Sequence, residues 1–134
     1  MKKITPRGIR NNNPLNIRIG NTWLGERVNP IDQEFEEFVT MEYGIRAAFI
    51  ILRRYIRRYH KDTVASIVST WAPAVENNTR RYIDIVCAKM GITPDLPIDY
   101  DDKVTMCQLV AAMAFVECGQ TIPMDKIEKG YQMA

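Results

Sequence analysis

Of the acidic side chains in this sequence, Glu117 is the first to weigh for chemistry, because it closes the apolar stretch LVAAMAFVECG from Leu109 to Gly119. A carboxylate in the last turn of a helix faces the negative end of the helix dipole, and this one also borders an apolar run. Both effects favour the protonated acid. A raised pKa is what a general acid needs. Spacing alone fits a solvated helix-end carboxylate better, so the position names a candidate and not a role. Glu76, in a proline-bounded turn beside Asn77 and Asn78, is the competitor, but a helix N-terminus stabilises the ionised form and lowers the pKa. Glu26, Glu34, Glu36 and Glu37 fall near an N-terminal turn region, where one of them, Glu34 among them, could supply a second carboxylate if the reaction needs a base or a nucleophile.

Other chemistries fit poorly. His60 is the one histidine, at the end of a basic helix, with no serine or cysteine in a nucleophile-like turn. Neither GxGxxG nor GxxxxGK[ST] occurs. The aspartates 95, 99, 101 and 102 lack the glycine and terminal glutamate of a calcium loop, and Cys87, Cys107 and Cys118 form no CxxC or Cys/His cluster. No metal and no cofactor is expected, and the cysteines read as core filling in a reducing compartment.

The elements that must hold these side chains follow from periodicity. The run from about Lys103 to Gly119 is too long and too apolar for a strand, so it predicts a helix buried at the centre of the domain. Thr40 caps a helix from Met41, with Ile45, Ala48, Phe49, Leu52, Tyr55, Ile56 and Tyr59 at helical spacing. Asp62 or Thr63 starts another through Trp71, which Pro73 ends, and Asn77-Asn78-Thr79 caps a fourth carrying Tyr82 to Met90 before Gly91. A short helix from Met124 to about Lys129 ends at Gly130. Upstream, residues 1–10 read as a loose tail, and Asn11-Asn12-Asn13-Pro14 as a turn. Alternation over Leu15 to Ile19, the Gly20-Asn21 turn and the return through Phe35 and Phe38 predict a small irregular hairpin over Asn16 to Val39. The fold class expected is therefore α+β, mostly α, in one domain of 134 residues.

The totals exclude several partners. A net charge of +2 argues against wrapping nucleic acid, although Arg53, Arg54, Arg57, Arg58, His60 and Lys61 make one basic helix face that reads as solvated surface. No apolar run reaches membrane-spanning length, and MKKITPRGIRNNNP lacks the apolar core of a signal peptide. The chain is expected to be made in the cytoplasm without a signal peptide.

Longer motifs are more specific. RGIRNNNPLNIR (Arg7 to Arg18), Trp23 with Gly25, Phe35 with Phe38, GIRA (Gly44 to Ala47), WAPAVENNTRRYI (Trp71 to Ile83) and the closing VECG resemble, over nearly the whole chain, a phage and prophage family often labelled virion structural proteins and taken to have a lysozyme-like, peptidoglycan-degrading fold. The same parts are similar to those of flagellar-rod-type glucosaminidases, with the acid helix moved from first place to last, as AFVECG at 114–119. This order suggests a circular permutation, which needs chain ends that lie close together. Cys118 stands where serine is usual, and Leu15 where the phage family usually has glycine.

The resemblance implies a lysozyme-like domain that cleaves bacterial cell-wall glycan, as a lytic transglycosylase or a muramidase or glucosaminidase, with Glu117 as general acid. It further implies substrate contacts from Tyr82 and Thr79 in the tyrosine turn, from Asn13 and Asn16 in the asparagine-rich stretch, and from Trp23 by stacking. Trp71 reads as core packing. The partners implied are peptidoglycan strands and other virion proteins, with the protein virion-associated or released to the wall. The alternative is a virion structural or glycan-binding module of the same fold that does not cut.

Overall fold

The structure, a computed structural model, describes residues 5–73 and 76–134. Among these, six helices follow one another: α1 (Arg7–Arg10), α2 (Met41–Tyr59), α3 (Val64–Trp71), α4 (Glu76–Met90), α5 (Lys103–Cys118) and α6 (Met124–Met133). Their starts follow from local chemistry. The Thr40 hydroxyl accepts the Tyr43 N–H, Thr63 and Ser66 cap each other reciprocally ahead of α3, and the Asp102 carboxylate accepts the Thr105 N–H at 3.2 Å. His60 ends α2 and Gly119 ends α5, both in the left-handed conformation.

The predicted central helix is α5. It buries Met106, Cys107, Leu109, Val110, Ala112, Met113, Ala114 and Cys118, and α1, α2, α4 and α6 all pack against it. From α2 the stripe Ile45, Ala48, Phe49 and Leu52 faces the same core and meets α6 along its length. That last helix runs to Met133, through Gly130. Glycine there serves close packing and not termination, since a Cβ at position 130 would lie 2.4 Å from Ile45 Cγ2.

The expected N-terminal hairpin, and with it the α+β class, is overturned. The described residues form no strand or sheet, only isolated antiparallel bridges between Arg18 and Phe35 and between Glu26 and Phe38, so the fold is mostly α with an irregular loop layer over residues 11–40. The alternation from Leu15 to Ile19 misleads because Asn16 sits at φ +53°, which breaks the extended run, as Asn12 at φ +52° breaks the turn before it. Buried polar side chains do the work of a ladder in this layer. Asn13 donates to the carbonyls of Ile17 and Glu36 at 2.9 and 3.0 Å and accepts the Ile17 N–H at 2.9 Å. Asp32 accepts two bonds from Arg7, one from Asn11 and the N–H groups of Glu34 and Phe35, while Glu37 accepts the N–H groups of Ile31 and Asp32 and pairs with Arg27. The Arg7 bonds hold the Asp32 carboxyl far below the usual carboxylate range, against its burial. Arg7 thereby ties α1, within the stretch expected to be a loose tail, to the loop layer.

Candidate functional site

A cleft of about 670 Å³ opens where the loop layer meets the helices. Ile51, Arg54, Tyr55 and Tyr59, spaced to share one face of α2, line it together with Trp71, Ala72 and Pro73 from the end of α3 and with Asn16, Ile17, Arg18, Asn21 and Phe35 from the loop layer. Glu117 lines it from the last turn of α5. The aromatic wall is fixed in place: the Trp71 indole N–H donates to the Leu15 carbonyl at 3.1 Å, and its ring meets Tyr55 edge-on at 6.1 Å.

Three residues singled out from the sequence come together here. The Asn16 amide donates to the Glu117 carboxylate at 3.2 Å and to the Glu117 main-chain carbonyl at 3.1 Å. Asn16 is itself aimed by its left-handed backbone and by its N–H bond to the Asn13 carbonyl. The buried Tyr82 hydroxyl donates to the Met113 carbonyl at 3.5 Å and lies near enough to the same carboxylate to act on its pKa. Burial pushes the Glu117 carboxyl above its ordinary value, outweighing the opposing pull of Asn16, Tyr82 and the Arg18 charge. Burial likewise raises Tyr82, which stays a phenol. The result is a partly buried acid with a raised pKa, steadied by the Asn16 amide and open to a cleft on one side.

The remaining candidates lie elsewhere. Asn13 is fully buried and spends its amide on the loop backbone, so it shapes the layer that carries Asn16 and does not face the cleft. Trp23 packs against the core, with its main-chain N–H on the Glu26 carboxylate at 2.8 Å. Thr79 donates to the Ala72 carbonyl at 2.8 Å, tying α4 to the end of α3 just behind the cleft wall. Glu34 is exposed, pairs with Arg7 and Arg18, and borders a separate shallow depression with Arg10 and Asp32. The side chain of Glu76 lies outside the described residues. Among the described residues lining the cleft, Glu117 is the only acid.

The sequence reading missed Phe35, Arg54, Tyr55 and Tyr59 as cleft residues. The signal available was the apolar stripe of α2, which continues through Tyr55 and Tyr59 beyond Leu52, the last fully buried position on it. It named Glu26 and Glu36 among the possible second carboxylates without placing them together, and neither lines the cleft. Glu36 is buried beside Glu26, and burial first, then the neighbouring carboxylate, pushes its pKa up to about 7. Among the described residues no group of three His, Cys, Asp or Glu could hold a metal ion, and no helix is long and apolar enough to cross a membrane.

No family model matches the chain. It is 39% identical over 131 residues, 94% of this chain and 80% of the relative, to Protein P5 of Pseudoalteromonas phage PM2. Identity of that extent shows common descent along nearly the full length, and the chain belongs to the family of this phage protein.

Proposed function

We propose that the protein cleaves the glycan strands of bacterial peptidoglycan, with Glu117 as the general acid. The observation that carries this reading is a carboxyl with a raised pKa, set in an aromatic-lined cleft and held by Asn16. Protonated Glu117 donates to the bridging oxygen as the glycosidic bond breaks. Asn16 keeps the carboxyl turned toward the cleft, and Tyr55, Tyr59, Trp71 and Phe35 offer ring faces to the sugars. A second carboxylate, as nucleophile or as base for a water, is absent from the described cleft lining. Attack by a hydroxyl of the sugar itself needs no second carboxylate. Glu117, ionised after the first proton transfer, then accepts the hydroxyl proton, and the product is an anhydro sugar, as in a lytic transglycosylase.

The order of parts supports the same reading. Asn16 rests on Glu117 across 101 positions of sequence, as a rearranged flagellar-rod-type glucosaminidase would require of its asparagine-rich stretch and acid helix. Kinship with a phage protein supports a place for the activity in breaching the host wall, whether carried in the virion with other virion proteins or released to the wall.

Loss of turbidity of purified cell walls tests the proposal. Wild type clears them, and Glu117→Gln, which keeps the shape and removes the acid, falls by about 10²–10⁴-fold. Equal clearing by the two proteins overturns the assignment. An intact protein that binds walls without clearing them is the non-cutting module.

A further inference from the structure

The arginines of α2 divide by what they touch. Arg46 donates to the Met133 carbonyl, Arg53 donates to the Ala134 carbonyl and lies over the Tyr100 ring, Arg57 pairs with Asp101 at 2.6 Å, and Arg58 lies over Tyr59. Arg54 alone of the five lines the cleft, and among the described residues it has no ion pair, hydrogen bond or ring contact. The other cleft cation, Arg18, is engaged, 3.6 Å from Glu34 and over the Phe35 ring. Among the described lining residues two arginines stand against one acid, Glu117, so the cleft carries a positive balance.

Arg54 is exposed at the cleft, on the same helical face as Tyr55, and its guanidinium is free to pair with an acid on a molecule that enters there. Its planar fork of donors matches a carboxylate, and the match strengthens against low-dielectric aromatic walls. Neutral sugars offer only hydroxyls and acetamido groups to such a fork. Wall glycan offers carboxylates from two sources, the lactyl ether of its N-acetylmuramic acid units and the peptides attached there.

We propose that Arg54 binds a carboxylate carried by the glycan and makes the cleft selective for acidic over neutral amino-sugar chains. This rests on the function proposed above, in that it takes the cleft to be a glycan site. Arg54 contributes to binding and discrimination, while the proton transfer belongs to Glu117.

The test uses the full chain with Glu117→Gln, so that binding is read without turnover, and three tetrasaccharide probes titrated by calorimetry. One is a neutral N-acetylglucosamine oligomer, one a wall fragment stripped of peptide with its lactyl carboxylate exposed, and one a wall fragment with peptides attached. At least one acidic probe binds about tenfold more tightly than the neutral one, and adding Arg54→Gln brings the two within about twofold without weakening the neutral probe. Arg54→Lys restores part of the preference. Preference for the stripped fragment names the lactyl carboxylate, and preference for the other names a peptide carboxylate. An unchanged preference in Arg54→Gln overturns the proposal, as does binding of none of the probes. Wall clearing by wild type is measured alongside. If clearing is absent while the Arg54-dependent preference holds, the catalytic reading falls and this one stands.

Discussion

At the residue scale, the burial that raises the Glu117 pKa also costs stability once the proton leaves. The folded-state pKa is raised above the unfolded value, so the folded protein holds more protons between the two. Stability therefore falls as pH rises from the ordinary value of 4.5 through the raised one, and the loss persists above it. Glu117→Gln carries no such term. Thermal melts are expected to show this variant losing less stability than wild type between pH 4 and neutrality, and wild-type wall clearing is expected to decline as Glu117 ionises. A melting profile identical to wild type would mean that the carboxyl is not desolvated as the structure has it.

Glu36 makes the same argument with a number attached. Its carboxyl titrates near 7 in the folded state against an ordinary 4.5, so wild type loses stability across that window and Glu36→Gln does not. Discounted for screening through the half-exposed Glu26, the advantage of Glu36→Gln should grow by about 1–2 kcal/mol from pH 4.5 to pH 8, read by denaturant titration. Residue type and place could nominate Glu117, Asn16 and Glu36, but not the burial of Glu36 against Glu26. Nothing local marks a glutamate whose partner, Glu26, is ten positions away on a loop of irregular shape.

At the element scale, the helices were legible because their signals are local. Thr40, Thr63 and Asp102 cap where short polar side chains before apolar periodic runs should, and Gly119 ends α5. The loop layer was not legible, since its bonds run from Asn13 to Glu36 and from Arg7 to Asp32, and its two left-handed asparagines interrupt a pattern that otherwise reads as a strand. For the same reason Asn13 looked like a sugar contact, when its amide is occupied in the layer's interior. Likewise Gly130 looked like a stop signal, when it makes room for Ile45.

The loop layer sits tightly on α2. A Cβ at Gly44 would fall 1.9 Å from the Asn12 carbonyl oxygen, a backbone atom that cannot move without displacing the asparagine run. Gly44→Ala should destabilise the protein by about 2–3 kcal/mol by chemical denaturation. It should also lower wall clearing in the fraction that remains folded, because Asn16 is set by that run. Unchanged stability would show that the layer docks elsewhere.

At the scale of the whole molecule, the domain keeps its acid on the most buried helix and its cleft-facing rings on α2 and α3, and the loop layer joins the two. Asn16 and Trp71 are the joints: one reaches from the loop to Glu117, the other from α3 to the Leu15 carbonyl. This division explains why a chain of nearly balanced charge can hold a locally positive cleft. Membership in the family of Protein P5 of phage PM2 sets the biological frame, and the geometry supplies the chemistry proposed within it.

Mass spectrometry of the fragments released from purified walls tests that chemistry most directly. With wild type, the account predicts glycan fragments ending in an anhydro sugar, and about 10²–10⁴-fold less of them with Glu117→Gln. Walls left with uncut glycan, or the same fragments in the same yield from both proteins, would contradict it.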